Sequence, residues 1–134
     1  MVLLNSKIRY GIRVLFYLME IGRDEVFTAA EISRQLRLPK EFISKIMQIL
    51  SYEGILNSKK GKGGGFYLAA DPSGVSFEKV FKALGYDEHI SDCIFDMKES
   101  CNRNSCPFCT EWKSFIADFN NTIKNYSITG ERIT

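Results

Sequence analysis

The chain of 134 residues lacks any apolar run long enough to cross a lipid bilayer, since its most apolar stretch, IRVLFYLMEI, is short and interrupted by charge. It also lacks a basic N-terminal segment followed by an apolar run and a cleavage site, so we expect no signal peptide. These absences predict a cytoplasmic protein with no membrane partner. All four cysteines fall within residues 93–109, and in a reducing compartment such clustering favours a metal site or redox chemistry over disulfides.

The remaining composition is that of a globular domain whose core needs no disulfide. The chain is 45% hydrophobic, 13% aromatic and 25% charged. Its net charge is only +2, but residues 1–72 carry eleven Lys and Arg against seven Asp and Glu, whereas residues 73–134 carry seven against nine. This uneven distribution indicates a surface for a polyanion in the first half of the chain.

Two helices are predicted at the start of the chain. Residues 6–21 form the first, which ends at Gly22, and its apolar residues at helical spacing include Ile8, Ile12, Leu15 and Met19. Thr28, followed three residues later by Glu31, forms a capping-box pattern. This pattern predicts that a second helix begins there.

A third helix is predicted from Pro39, whose missing N–H costs nothing at a first helical position, to Gly54, which suits a helix end. The positions that face inward are apolar: Phe42, Ile43, Ile46, Ile49 and Leu50. The outer side carries polar residues: Lys40, Glu41, Ser44, Lys45 and Gln48. Two short helices joined by a tight turn outline a helix-turn-helix, whose second helix usually enters the major groove of DNA.

The segment ILNSKKGKGGGFYLAA predicts a β-hairpin. Two apolar runs, residues 55–56 and 66–69, flank a turn that contains four glycines together with Lys59, Lys60 and Lys62. We interpret the hairpin as a wing with a flexible basic tip, which suits a narrow minor groove or the phosphate backbone. A nucleotide-binding loop is a poor interpretation, because the segment has no G-K-[ST] and follows no parallel-sheet unit.

The second half of the chain contains a short helix, a loop and a long helix. Residues 76–85 predict the short helix, which ends at Gly85. The cysteine segment has low periodicity and contains Asn, Ser and Pro, which predicts a loop. The long amphipathic helix begins near Thr110 and carries its apolar stripe at Trp112, Phe115, Ile116, Phe119, Ile123 and Tyr126. This stripe suits packing on its own domain or on a second copy of the chain, and we favour the second copy.

These segments predict a mainly α fold, a winged helix-turn-helix domain with a two-stranded wing plus a long C-terminal dimerisation helix. We divide the chain into a DNA-binding region at residues 1–72, a connecting helix at 73–92, a cysteine loop at 93–109, and a dimerisation helix and tail at 110–134.

The segments SKIRYGIRVLFYL, AEISRQLRLPKEFISKIMQILSYEGIL and, above all, SKKGKGGGFYLA resemble the IscR/NsrR family of bacterial winged helix-turn-helix transcription regulators. The triple-glycine wing followed by an aromatic residue and Leu is the specific part, and the similarity continues through SFEKVFKALG into the cysteine loop. The resemblance implies a transcription regulator, and not an enzyme, that binds a palindromic operator in double-stranded DNA as a homodimer. It also implies a long C-terminal helix that crosses to the partner and, in many members, an iron–sulfur cluster in the loop before that helix.

The resemblance and the basic charge together predict which residues contact DNA. Ser44 and Lys45 stand where the cluster-biogenesis regulator of the family has residues that read bases, but their identities differ, so its operator is not expected here. Arg9 is either a phosphate contact or part of an intersubunit pair. The predicted DNA-binding residues are Arg9, Thr28, Lys40, Glu41, Ser44, Lys45, Gln48, Lys59, Lys60, Lys62, Gly63 and Gly64.

The arrangement C-x7-C-x4-C-x2-C supplies four thiolates, the usual number for an iron–sulfur cluster. By resemblance, Cys109 falls where the cluster-biogenesis regulator has a histidine, and Ile8, which cannot ligate, occupies the region of a cross-subunit carboxylate of other members. We interpret His89 as a surface histidine. The predicted function is sensing of iron–sulfur cluster status or of redox or nitrosative stress, through a cluster for which 2Fe-2S is favoured over 4Fe-4S. The predicted ligands are Cys93, Cys101, Cys106 and Cys109.

Two other uses of the cysteines stay open. Four thiolates also suit a structural zinc ion. Cys106 and Cys109 form a C-x-x-C pair before a predicted helix, as in thiol–disulfide oxidoreductases, so a cofactor-free thiol switch is the second alternative. No βαβ pattern surrounds that pair.

Overall fold

The computed structural model describes residues 3–22, 24–88, 93–95, 97 and 106–133. The predicted ligand Cys101 and the predicted surface residue His89 lie outside these ranges. The described helices and strands, in chain order, are α1 (Ser6–Ile21), α2 (Ala29–Leu36), α3 (Lys40–Tyr52), β1 (Leu56–Lys59), β2 (Gly65–Leu68), α4 (Phe77–Ala83) and α5 (Pro107–Asn125), with a short 3-10 helix at Pro72–Gly74 before α4. This order confirms a mainly α fold with a two-stranded antiparallel wing.

Local hydrogen bonds decide where α2 and α3 begin. The capping box at α2 is confirmed, because Thr28 Oγ1 accepts from the Glu31 N–H at 3.1 Å and the Thr28 N–H donates to the Glu31 carboxylate at 3.4 Å. The prediction that Pro39 occupies the first helical position was wrong by one residue. Its ψ of 129° is extended, so Pro39 is the N-cap of α3, and its carbonyl accepts from the Ile43 N–H at 3.0 Å.

The predicted end of α3 at Gly54 is confirmed. Gly54 has a φ of 79°, which favours glycine. Its N–H donates to the Ser51 carbonyl at 3.0 Å, and the Ile55 N–H donates to the Leu50 carbonyl at 3.0 Å. These two bonds form a Schellman motif, with the buried side chains of Leu50 and Ile55 on either side of it. The motif turns the chain directly into β1.

The hairpin is confirmed, and a third segment that the sequence did not predict is paired with it. Leu56 lies opposite Leu68, and the connecting turn is formed by residues 60–64. Phe27, between α1 and α2, exchanges both backbone hydrogen bonds with Phe66, at 2.7 and 2.8 Å. A β-carbon on Gly65 would lie 2.5 Å from the Phe27 carbonyl oxygen, so this close approach requires glycine. The base of the wing is therefore tied to the connection between α1 and α2.

Helix α5 begins earlier than predicted, and the tail after it folds back on the domain. The helix begins at Pro107 and not near Thr110, because proline suits the first helical position. After the helix, the Phe77 N–H donates to the Tyr126 carbonyl at 3.1 Å, and the Ile128 N–H donates to the backbone just before α4 at 2.8 Å. The C-terminal end of α5 is thereby fixed beside the start of α4.

A single hydrophobic core joins these elements. Ile8 is 1% exposed within it, so the side chain at this position of α1 is fully occupied in packing. Helix α5 contributes Ile123, with Phe119 packed against the same core. Other fully buried side chains are Val14, Leu15, Ile32, Ile43, Ile46, Met47, Leu50, Ile55 and Val80. Among the helices of the described ranges, none is long and apolar enough to span a membrane.

Candidate nucleic-acid interface and cysteine site

The outer face of α3 is polar because its opposite face supplies the core. Ile43, Ile46 and Leu50 are fully buried, and the helical repeat turns the residues between them outward. Ser44 is half-buried at the edge of this outer face. The exposed residues on it are Lys40, Glu41, Lys45 and Gln48. The face therefore presents charged and amide groups, as a helix that reads a major groove does.

The wing tip presents three exposed ammonium groups, those of Lys59, Lys60 and Lys62. Within the part of the chain that the structure describes, both ion pairs involve Lys82 of α4. The three wing lysines thus have no carboxylate partner among the described residues. These ammonium groups can therefore bind phosphate groups of DNA, and such binding releases the counterions of the DNA.

Glycine shapes the turn that carries these lysines. Gly61 and Gly63 have φ values of 92° and 78°. The Gly64 N–H donates to the Gly61 carbonyl at 3.0 Å, and a β-carbon on Gly64 would overlap the Lys59 carbonyl oxygen. The predicted contacts Gly63 and Gly64 therefore hold the turn tight and leave its backbone open to a close approach by another molecule.

Two further predicted DNA contacts lie on α1 and at the start of α2. Arg9 is exposed, and its Nη2 donates to Ser6 Oγ at 3.2 Å, one turn away on α1. The hydroxyl of Thr28 accepts the capping bond from Glu31. Its O–H can still donate to a phosphate, because capping uses only a lone pair.

Two of the cysteines begin α5. Cys106 is the N-cap, Cys109 lies in the first turn, and the Cys109 N–H donates to the Cys106 carbonyl at 3.1 Å. Both side chains are half-buried. A helix N-terminus carries partial positive charge, which favours anionic groups such as thiolates beside it. Cys109 was predicted in the loop and lies instead inside the helix, because the helix begins at Pro107.

An aromatic contact brings the segment of Cys93 to the same place. The ring of Phe95 meets that of Phe108 edge to face, with centroids 5.5 Å apart. Phe108 lies between Cys106 and Cys109, and Phe95 lies two residues after Cys93. Three of the four predicted ligands thus belong to segments that contact each other.

The cysteine thiols are suitable metal ligands, but those of the described residues do not form a complete binding site. Thiolate is the ligand type that iron–sulfur clusters and structural zinc share. Among the described residues, no three His, Cys, Asp or Glu side chains are close enough together to hold a metal ion. The donor atoms therefore suit a sulfur-ligated group, and the two described segments that contribute them are in contact through Phe95 and Phe108.

Tyr86 links the segment that leads to the cysteines with α5. Its hydroxyl donates to Asn120 Oδ1 at 2.6 Å, and Asn120 Nδ2 donates to the Glu88 carbonyl at 3.3 Å. Burial raises the pKa of the Tyr86 hydroxyl above its ordinary value, and the negative charges of Asp87 and Glu88 raise it further. Tyr86 was not predicted as a functional residue, since its only signal in the sequence is an aromatic residue with a polar end directly after the helix-ending Gly85.

The apolar stripe of α5 has two halves with different surroundings. Phe119 stacks on Phe81 of α4, with ring centroids 6.2 Å apart. Towards the cysteines, Phe115 stacks on Phe119 and Trp112 stacks on Phe115, at 6.2 and 5.7 Å. Phe115 is 50% exposed. The C-terminal half of the stripe thus packs on its own domain, whereas the half near the cysteines presents aromatic surface.

A helix-turn-helix followed by a basic hairpin defines the class of this protein as a DNA-binding transcription regulator of the winged-helix type. Within that class, the chain belongs to the Rrf2 family, described as iron-dependent transcriptional regulators, whose sequence profile matches residues 4–130. The family is one of regulators and not of enzymes. This finding confirms the resemblance seen in the wing and the helix-turn-helix.

Curated relatives agree with this assignment. An HTH-type transcriptional regulator of Aquifex aeolicus is 31% identical over 121 residues, which cover 86% of this chain and 83% of the relative. The regulator IscR of Yersinia pseudotuberculosis is 25% identical over 126 residues, covering 93% and 76%. The regulator NsrR of Bacillus subtilis is 28% identical over 103 residues, covering 75% and 67%.

Solved structures show the same fold. CymR, the global cysteine regulator of B. subtilis, superposes with a TM-score of 0.75 at 16% identity, over 97% of this chain and 95% of CymR. The IscR of T. potens superposes with a TM-score of 0.69 at 15% identity, over 96% and 85%.

Proposed function

We propose that the chain acts as a homodimer that binds a palindromic operator and adjusts this binding to the state of a 2Fe-2S cluster held by its cysteines. One observation carries the proposal. Cys106 is the N-cap of α5 and Cys109 lies in its first turn, and Phe95, two residues after Cys93, contacts Phe108 of that turn. The similarity to the regulators IscR and NsrR and the description of the family as iron-dependent support it.

DNA contact is assigned to α3 and the wing. The outer face of α3, from Lys40 to Gln48, enters the major groove, and Lys59, Lys60 and Lys62 contact phosphates or the minor groove. Arg9 and Thr28 add backbone contacts beside these elements. The support is the exposure of these side chains and the absence, among the described residues, of carboxylate partners for the wing lysines.

We assign the contact with the second copy of the chain to the half of α5 that is nearer the cysteines. Trp112 and Phe115 present stacked rings there, and Phe115 and Phe108 are 50% and 54% exposed. Aromatic side chains of this kind are the usual anchors of protein interfaces. On α1, Phe16 is also 45% exposed. Two copies that cover these surfaces form a two-fold dimer, which matches a palindromic operator.

The cluster would be held by four cysteines: Cys93, Cys101, Cys106 and Cys109. When bound, it would supply an iron–sulfur centre that responds to iron supply, oxidants or nitric oxide. The chain's own residues transmit the change. Ligation would join Cys93 to Cys106 and Cys109, while Tyr86 and Asn120 join the same helix to the segment after α4. Cluster loading alters DNA affinity only to the extent that it favours one arrangement of the two recognition helices.

The first experiment is purification without oxygen, followed by visible absorption and by counts of iron, sulfide and zinc per chain. Two iron and two sulfide per chain, with a brown to red colour, support the proposal, whereas four of each revise the cluster to 4Fe-4S. DNA titrations of cluster-loaded and cluster-free protein, together with sedimentation, then test the operator and the dimer separately.

The alternatives have distinct outcomes in the same measurement. One zinc per chain and no colour indicate a structural zinc site. Reactive thiols with no metal indicate a thiol switch at Cys106 and Cys109, which the position of this C-x-x-C pair at a helix N-terminus also suits. Either result overturns cluster sensing and leaves the assignment as a DNA-binding regulator in place.

A further inference from the structure

The side chain of Tyr52, the last residue of α3, lies outside the hydrophobic core. It is 89% exposed, more than any other large apolar side chain of the described residues. Tyr52 follows Gln48 by four positions, Lys45 by seven and Glu41 by eleven. At about 100° per residue, each of these three residues lies within about 40° of Tyr52 around the helix. Tyr52 therefore extends the outer face of α3 to its C-terminal end.

The length of α3 decides what this end can meet on DNA. From Lys40 to Tyr52 the helix rises about 18 Å, at about 1.5 Å per residue, whereas a major groove is about 12 Å wide. Recognition helices contact base edges with their N-terminal residues. With α3 inserted by its N-terminal end, its last turn would lie at the wall of the groove, which is formed by the sugar–phosphate backbone.

The last turn of α3 contains no basic residue. Its backbone carbonyls carry partial negative charge, which disfavours an approaching phosphate unless a donor stands between them. A tyrosine hydroxyl is such a donor, and tyrosine is among the side chains that bind phosphate oxygens in protein–DNA complexes. The Tyr52 side chain is 89% exposed, so its hydroxyl is accessible to a phosphate.

We propose that the Tyr52 hydroxyl donates a hydrogen bond to a backbone phosphate of the bound DNA, and that Tyr52 positions the C-terminal end of α3 against the groove wall. The proposal rests on the DNA contact assigned to α3. The predicted contact does not depend on the base sequence and, unlike the contacts of the wing lysines, involves no charged side chain.

The test compares Tyr52→Phe with the wild-type chain on two labelled duplexes, one recovered by selection from a randomised pool and one of random sequence. We expect Tyr52→Phe to raise the Kd roughly threefold to tenfold, as for the loss of one net hydrogen bond, and by the same factor on both duplexes. The salt dependence of Kd stays unchanged, because a neutral donor releases no counterion. Tyr17→Phe, which removes a hydroxyl from a half-buried tyrosine of α1 outside the assigned DNA and dimer surfaces, is the matched control and leaves Kd unchanged.

Three results would overturn the proposal: an unchanged Kd for Tyr52→Phe, a loss confined to the selected duplex, or a loss explained by a shift in the sedimentation of the dimer. Lys60→Ala in the same assay separates this proposal from DNA binding itself. If Lys60→Ala weakens binding and Tyr52→Phe does not, only the role of Tyr52 fails. If neither has an effect, the assigned DNA surface fails as well.

Discussion

The side chain of Leu84 lies directly against the backbone of Gly11, where the end of α4 meets the middle of α1. A β-carbon at residue 11 would overlap Leu84 Cδ1 and would lie 3.6 Å from Ile46 Cγ2 of α3. Leu84 is 1% exposed, and Asn5 Nδ2 donates to its carbonyl at 3.1 Å. This contact joins the recognition helix, α1 and the helix that leads to the cysteine segment.

We expect Gly11→Ala to destabilise the protein, although alanine is the better helix former. The gain in helix propensity is about 1 kcal/mol, whereas forcing extra volume into a packed core costs about 1–3 kcal/mol. Urea denaturation should therefore show a lower free energy of unfolding. Gly74→Ala is the control, since nothing lies within 4 Å of a β-carbon at that position. A Gly11→Ala protein as stable as the wild type would show that Leu84 moves aside freely.

Lys60→Ala should weaken DNA binding and reduce its salt dependence. Each phosphate contact that is lost lowers the slope of log K against log salt by about 0.9. The slope is measured by titrating a labelled duplex at several salt concentrations. Lys79→Ala, which removes an exposed lysine from α4, is the control and should keep the wild-type slope. An unchanged slope for Lys60→Ala would remove the wing tip from the DNA contacts.

Cys106→Ala should abolish cluster binding and leave the dimer intact. The reason is that one of four thiolate ligands is lost, while the aromatic surface of α5 is unchanged. Visible absorption and iron content after anaerobic purification measure the first effect, and sedimentation measures the second. Thr110→Ala, an exposed change one residue beyond Cys109, should keep the cluster. Full cluster occupancy in Cys106→Ala would contradict the assignment of this ligand.

Tyr86 should make stability depend on pH in the alkaline range. Its pKa in the folded protein is raised above 10.0, so above pH 10 the folded state holds a proton that the unfolded chain releases. The contribution of Tyr86 is therefore fully present below pH 10 and is lost as the pH rises through the raised pKa. Urea denaturation of wild type and Tyr86→Phe across this range measures the difference.

The Tyr86→Phe protein should be less stable at neutral pH by about 1 kcal/mol, because the hydrogen bond to Asn120 is lost. That deficit should shrink at alkaline pH. A deficit that stays constant with pH would show that Tyr86 titrates alike in the folded and unfolded states. Asn120→Ala removes the same bond from the other side together with the bond to the Glu88 carbonyl, so its neutral-pH deficit should be larger than that of Tyr86→Phe.

Features encoded by a few neighbouring residues were predicted correctly from the sequence. The Thr28–Glu31 capping box, the end of α3 at Gly54 and the hairpin with its lysine tip all depend on side chains within a few positions of each other. The start of α5 was missed because Pro107 was assigned to a loop, although its fixed φ suits a first helical position. Pro39 shows the opposite case, since the backbone there is extended and leaves proline just outside the helix.

Pairings between distant segments had no local pattern from which to predict them. Phe27 pairs with Phe66 across 39 positions, and the Ser127–Ile128 segment pairs with residues just before α4. Neither segment has the alternation of apolar and polar residues that marks a strand. The sequence alone placed all four predicted ligands in one short segment. It did not predict that Cys106 and Cys109 lie at the start of α5, because the helix was expected to begin near Thr110.

The described contacts between α5 and residues 77–86 lie towards its C-terminal end: Phe119 stacks on Phe81, Asn120 bonds Tyr86, and the Tyr126 carbonyl accepts from the Phe77 N–H. Cys109 and Asn120 are 11 residues apart, or about 16 Å at 1.5 Å per residue. A tilt of α5 by about 10° about Asn120 would move the first turn by about 3 Å. The cysteines therefore stand at the end of an arm, where a small change in the direction of the helix becomes a displacement longer than a covalent bond.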